Sequence, residues 1–202
     1  MHIEDMYNQG SRKFQKQFET QRLADRLAQV EARKRLTDED QEFIKGASMF
    51  FLATADTEGH PICSYKGGMP GFVQILNAQT VGFPNYDGNG TFRSLGNIHL
   101  NPNVSMLFID FAKGLRTIIE GTAFVSTEDS LLSRWPGAQL VITVQITRAF
   151  SSCPRYIHTF RLVEHSAYVP QEGQKAPVPD WKKKEVYQDV LPNEKDPPSF
   201  GE

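Results

Sequence analysis

The sequence predicts a mainly β chain, an antiparallel barrel or sandwich of six to seven short strands with flanking helices. Short β-branched and aromatic runs recur from residue 48 to 149, turn-forming residues separate them, and only one clear helical pattern interrupts the series. A chain of 202 residues with 39% hydrophobic content can bury one sizeable core. The expected organisation is a helical segment packing on the barrel (1–46), a barrel domain (47–169) and a Pro-rich, charged tail (170–202).

Residues 19–35 read as a helix, with Leu23, Leu27 and Val30 at three- and four-residue intervals forming a stripe expected to pack on the barrel. A second helix starts at Thr37, whose hydroxyl suits free backbone N–H groups, and Asp38, Glu39 and Asp40 suit the helix dipole; it is expected to run to Gly46. Strands follow at 48–55, 61–66, 71–76, 80–84, 104–110 and 115–125. The interrupting helix spans 90–100, where Asn101 and Pro102 stop it. A short helix at 128–134 precedes a long, half-exposed strand at 139–149. From Pro170 onward there are few apolar anchors, so an extended or disordered course is expected, with Trp181 and Tyr187 docking on the domain or on a partner subunit.

A formal net charge of -2 and a pI near 6.2 speak against a nucleic-acid-binding surface. The longest apolar runs fall far short of the roughly 20 residues that cross a bilayer, and the acidic start does not read as a secretory signal, so a cytoplasmic protein without membrane contact is expected. Cys63 and Cys153 form no CxxC pair and read as ordinary buried thiols. The five histidines show no i, i+4 zinc spacing, so no protein-ligated metal is expected. No Gly-x-Ser-x-Gly elbow, Walker loop or close carboxylate pair supports a hydrolase or kinase.

The most informative segment, residues 81–98, reads as strand, glycine-rich turn and helix, with Asn89, Arg93, Ser94 and Asn97 along it. Unpaired N–H groups in a first helical turn stabilise a phosphate, and Arg93 and Ser94 add donors at that end. Read by itself, the segment is a weak signal and also suits a solvated Arg93 with Asn89 or Thr91 as a plain cap. In residues 62–72, Gly67, Gly68 and Gly71 leave room for a flat ligand, and Lys66 can neutralise an anion; a bulged hairpin connection explains the same residues. The spacing is not a dinucleotide fingerprint. Arg116 at a strand start reads also as an edge gatekeeper, and His158 with Arg155 nearby as structural.

The order of these segments is more specific than any one of them. Phe50–Ala55 with its turn and Pro61, then Phe83-Pro84-Asn85, Arg93-Ser94 and the run from Asn101 to Phe108, resembles the pyridoxamine 5'-phosphate oxidase-like family of FMN-binding split-barrel proteins. In a bacterial branch the likeness extends to Ser64-Tyr65-Lys66-Gly67-Gly68, to Phe83-Pro84-Asn85-Tyr86-Asp87-Gly88-Asn89 and to Cys153-Pro154-Arg155-Tyr156-Ile157-His158, covering roughly residues 36–169.

The resemblance implies a six- to seven-stranded antiparallel split β-barrel and a homodimer with FMN in two equivalent grooves at the subunit interface. Ser64, Tyr65, Lys66, Gly67 and Gly68 would run beside the isoalloxazine, with Lys66 at its polar edge, favouring negative charge on the ring. Phe83 and Pro84 would line the ribityl and ring region, and Arg93, Ser94, Asn89 and Asn97 would serve the phosphate end. Arg116 would contact the flavin. Ser94 stands where the oxidase has a second cation, so phosphate binding leans on Arg93 and Asn89. The oxidase's C-terminal substrate segment is not recognisable. The expected function is an FMN-dependent oxidoreductase acting on a small molecule, with no assigned catalytic acid or base. The alternatives are a non-catalytic flavin or haem carrier and a deazaflavin-dependent reductase.

Overall fold

Alternation of side chains along the strands sets the architecture: in β1 (Met49–Ala55), Phe50, Leu52 and Thr54 point inward and are buried, while their neighbours are half-buried or exposed. The computed structural model describes residues 6–127, 129–174 and 176–192. Seven strands form one antiparallel sheet: β1, β2 (Pro61–Gly67), β3 (Gln74–Asn77), β4 (Thr80–Tyr86), β5 (Asn103–Asp110), β6 (Leu115–Ser126) and β7 (Ala138–Ser151). Their spatial order is β2-β1-β5-β6-β7-β4-β3. The fold is therefore the mainly β split barrel that the sequence implied.

Curling of the sheet brings its two ends together. Phe50 of β1 lies 5.0 Å from Phe83 of β4, edge to face, and 5.1 Å from Phe108 of β5, and also stacks at 5.8 Å on Phe72 from the β2–β3 connection. Strands far apart in the hydrogen-bonded order thus share one core, which Met106, Ile119, Ile142 and Val144 fill from the middle strands. The β6–β7 pair bends at a bulge between Glu120 and Gly121, where a Cβ on Gly121 would sit 2.4 Å from the Gln145 carbonyl oxygen. Glycine at that position lets the two backbones close.

The barrel opens between β2 and β4. β2 is an edge strand, and β3 stops pairing with β4 at Gly82, so Pro84 falls where the second edge of β4 is free and its missing N–H costs no ladder bond. The expected strand at 71–76 is shorter than the apolar run suggests. Pro70 and Gly71 (φ +90°) turn the chain, Phe72 N–H donates to the Met69 carbonyl, and Phe72 and Val73 enter the core from the turn. Trp135 closes that side, its buried indole N–H donating to the Phe72 carbonyl at 2.7 Å.

Helices α1 (Gln9–Gln17), α2 (Gln21–Glu31) and α3 (Asp38–Gly46) precede the sheet, and α1 was not anticipated. Thr37 and Asp40 form a reciprocal capping box on α3, and Arg33 grips the buried Asp40 carboxylate with one nitrogen at 2.9 and 3.0 Å. α2 is shorter than the 19–35 pattern because Arg33 exchanges two backbone hydrogen bonds with Ala149 of β7. The expected packing of its apolar stripe is corrected: Leu23, Leu27 and Val30 are exposed, whereas Ala24 and Ala28 are buried. Tyr7 donates to the Ala24 carbonyl and Arg12 pairs with Asp25, so the preceding segment and α1 hold α2 by another face.

Between β4 and β5 lies α4 (Arg93–Leu100), and α5 (Asp129–Leu132) precedes β7; residue 128, in the expected 128–134 helix, lies outside the described residues. After β7 the chain returns along the barrel with two short 3₁₀ turns, Asp180–Lys183 and Glu185–Tyr187. The tail residues beyond 192, and residues 1–5 of the expected N-terminal segment, lie outside the described residues. No helix among the described residues is long and apolar enough to cross a membrane.

Candidate functional site

The opening between β2 and β4 forms a cleft of about 1280 Å³. Four elements build it: the edge of β2, the free end of β4 with its glycine-rich turn, the first turn of α4, and the C-terminal segment. Of the sequence-derived candidates, Ser64, Tyr65, Lys66, Gly67, Pro84, Asn89, Arg93 and Ser94 line this one cleft.

The start of α4 differs from the expected helix at 90–100. Gly90 takes φ +73° and Phe92 the left-handed φ of 46°, so the helix begins at Arg93. A bulky non-glycine residue in that region carries strain that functional loops often hold. Phe92 offers no side-chain acceptor, leaving the first-turn N–H groups of α4 without a side-chain cap beside the cleft. Asn89 caps its own turn instead, its carbonyl oxygen accepting from the Thr91 N–H at 3.2 Å and hydroxyl at 2.7 Å. The exposed Arg93 guanidinium meets no carboxylate among the described residues.

Ser94 is buried, and its hydroxyl donates to Ser64 Oγ at 3.2 Å, tying α4 to β2. Asn97 is turned elsewhere: its amide donates to the buried Thr54 hydroxyl at 3.1 Å and pins α4 to β1. Phe83 is fully buried and packs in the core, so of the Phe83-Pro84 pair only Pro84 reaches the cleft. The glycines at the end of β2 and just after it answer first to their neighbours. A Cβ on Gly67 would come within 2.7 Å of the Tyr65 ring, and one on Gly68 within 2.3 Å of Phe72. Arg116 opens on a separate cleft of about 290 Å³ with Phe43, Thr117 and Pro154; one nitrogen donates to Ser152 Oγ at 2.5 Å, and its buried Nε has no partner.

Lys66 supplies the electrostatics. It is half-buried, forms no ion pair among the described residues, and burial holds its ammonium below the ordinary lysine value of 10.5. Protonated Lys66 is thus a poorly solvated cation facing a cleft, a state that an anion would relieve. For a base depressed by desolvation, the charged form is lost at lower pH than in a free lysine. The affinity of the cleft for an anionic ligand is therefore expected to fall as pH rises, beginning below 10.5, with the fall abolished in Lys66→Met. Titration of a phosphate-bearing flavin against pH measures it.

Tyr86, also in the cleft, has its phenol raised by burial and so keeps its proton as a neutral donor. Sequence reasoning passed over Tyr86, Phe92 and Tyr168 as site residues and gave Trp181 only as a residue docking on the domain or on a partner subunit; it lines the cleft. The signals present were the aromatic residues flanking a glycine-rich turn and two isolated aromatics in a polar tail. The expectation of buried thiols is also corrected: Cys63 and Cys153 are both exposed, because Cys63 points outward from β2 and Cys153 follows the end of β7. The backbone N–H and the guanidinium of Arg155 donate to the Cys153 sulfur, the latter at 3.0 Å, and lower its pKa. Cys153 is therefore expected to react with iodoacetamide faster than Cys63 near neutral pH, as mass mapping of partially alkylated protein would show. No His, Cys, Asp or Glu cluster among the described residues could hold a metal.

The profile of the pyridoxamine 5'-phosphate oxidase family matches residues 36–153, more than half of the chain. The chain belongs to this family. Its match runs from just before α3 to just after β7, so it covers the seven strands with α3, α4 and α5, while α1, α2 and the C-terminal segment lie outside it. No curated protein matches the chain. Among solved structures, a candidate pyridoxamine 5'-phosphate oxidase from Lactobacillus delbrueckii is similar at 21% identity and a TM-score of 0.48, covering 60% of this chain and 99% of that one. HupZ of Group A Streptococcus is similar at 22% identity and a TM-score of 0.46, covering 57% and 93%. HutZ of Vibrio cholerae, described as a haem storage protein, is similar at 19% identity and a TM-score of 0.41, covering 58% and 94%.

Proposed function

We propose that the protein is an FMN-dependent oxidoreductase acting on a small molecule, with FMN held in the cleft between β2 and β4. The observation that carries this reading is the meeting of two anion-receptive features in one cleft: the first turn of α4, without a side-chain cap, with Arg93, and the half-buried Lys66, which forms no ion pair among the described residues. The chain's own residues suit the group. Arg93 and the first-turn N–H groups of α4 would hold the phosphate, Ser94 keeps that turn fixed to β2, and the exposed edge of β2 offers backbone donors and acceptors to a polar ring edge.

FMN, when bound, supplies the electron and hydride transfer. The protein's part is to bind, orient and tune: Lys66 places positive charge at the β2 wall, and Tyr86, at the end of β4, keeps its proton as a neutral donor. No protein nucleophile is required.

A homodimer completes the proposal. Arg116 opens away from the main cleft with an unpartnered buried Nε, so a flavin contact from Arg116 would come from a second chain. Light scattering should then give twice the 22.9 kDa chain mass. An absorbance spectrum of the purified protein, with mass spectrometry of whatever co-purifies, tests the cofactor. Yellow protein that bleaches with reductant and recovers in oxygen supports the reading. A Soret band points to a haem carrier, displacement of FMN by a deazaflavin points to that cofactor, and failure to take up any flavin overturns the proposal.

A further inference from the structure

The cleft, at about 1280 Å³, exceeds the roughly 300–1,000 Å³ of ordinary small-molecule sites. Its walls differ in chemistry. One, from β2 and the start of α4, carries Lys66 and Arg93, which meet no carboxylate among the described residues. The other, from the C-terminal segment, presents Tyr168, Pro170, Pro177 and Trp181 beside Gly137 and Gln139. Among the described lining residues both carboxylates are paired: Lys182 Nζ binds Asp87 Oδ2 at 2.5 Å, and Lys183 binds Asp180 at 2.8 Å.

Trp181 is held in place. The Tyr187 ring meets its indole edge to face at 5.8 Å, and the Lys182 ammonium lies 5.7 Å from the indole centroid. Gln188 donates to the Lys182 carbonyl at 2.6 Å, and the Lys182–Asp87 pair ties the whole segment to the turn after β4. A fixed indole on a wall whose described lining residues carry no unpaired charge favours a flat ring: a charged ligand would lose hydration there without a counter-charge from those residues, and an aliphatic one would lack the stacking contribution.

We infer that the C-terminal wall is a second subsite, for a flat, uncharged aromatic reactant, with Trp181 as its stacking surface and the Lys182–Asp87 pair as the contact that positions it. This rests on the flavin reading in one respect, that FMN fills the cationic wall and leaves this one free.

The test is equilibrium dialysis of the FMN-loaded full chain against naphthalene-2-carboxamide, with naphthalene-2-sulfonate and cyclohexanecarboxamide as comparators. The carboxamide should bind several-fold more tightly than either comparator. Trp181→Ala should weaken it about five- to tenfold, and Trp181→Phe no more than about twofold. Lys182→Met should weaken it with FMN occupancy unchanged. The fluorescence of the buried Trp135 reports that each variant is folded. Unchanged carboxamide affinity in Trp181→Ala, or a sulfonate that binds as well as the carboxamide, overturns the subsite. FMN occupancy is read separately from absorbance. Wild-type protein that takes up no FMN but binds the carboxamide through Trp181 refutes the flavin reading and upholds the subsite.

Discussion

Replacing Arg93 with alanine should weaken FMN binding by about 10- to 100-fold and leave riboflavin, which lacks the phosphate, nearly unaffected. The guanidinium stands at the start of α4, exposed to the cleft and free of any carboxylate partner among the described residues. A charge-assisted hydrogen bond contributes about 1.5–3 kcal/mol, which sets that range. The first-turn N–H groups of α4 remain in the variant, so binding should be reduced rather than abolished. Arg93→Lys keeps the charge but loses the forked donors, and should fall between wild type and alanine. Fluorescence titration of both flavins gives the two constants. Equal losses for FMN and riboflavin would mean that Arg93 serves the fold or the ring, not the phosphate.

A second large effect belongs to the core. Phe50→Ala should destabilise the protein by about 3–5 kcal/mol, as truncation of a fully buried phenyl ring does elsewhere. Phe50 has no exposed surface and touches rings from β4, β5 and the β2–β3 connection, so its loss opens a cavity where the two ends of the sheet meet. Urea unfolding should show a lower midpoint with an unchanged slope, and flavin binding should weaken with it, because the β2–β4 opening depends on that closure. A change below about 1 kcal/mol would show that the surrounding rings collapse into the space.

The two effects separate what forms the cleft from what fills it. Arg93 is exposed and contributes through charge, whereas Phe50 is buried and contributes through packing. Between them stand Ser94 and Asn97, expected at the phosphate end. Both side chains are engaged in joining α4 to β2 and β1, so their substitution should disturb the site by moving the helix.

The strands were legible because period-two alternation and turn residues are local signals. The β-branched and aromatic runs and the turns between them needed no knowledge of the partners, whereas the inward set Phe50, Leu52 and Thr54 of β1 emerges only in the structure, because that run is apolar on both faces. The capped start of α3 at Thr37 was legible for the same reason, since a hydroxyl at the cap and a carboxylate three residues on act within one turn. The motif order likewise carried the family. The sequence by itself therefore determined the strand content, the barrel class and two of the segments that border the cleft, those around Lys66 and around Arg93.

Tertiary structure decided which side of each element faces what. A stripe of Leu23, Leu27 and Val30 looks like a core face from its period, yet Ala24 and Ala28 are the buried positions, because α1 and the segment before it hold α2 by another face. Gly67 and Gly68 read as openings for a ligand, yet the rings of Tyr65 and Phe72 already fill the space beside them. Arg116 reads as part of one flavin site with Arg93, but the sheet order sends it to a different cleft of the same chain. Trp181 and Lys182 lie 95 residues or so from Asp87, and only the return of the chain over the barrel makes them a wall. Periodicity and caps are local and survive in the sequence; burial and convergence depend on contacts between distant segments, which the closed core alone imposes.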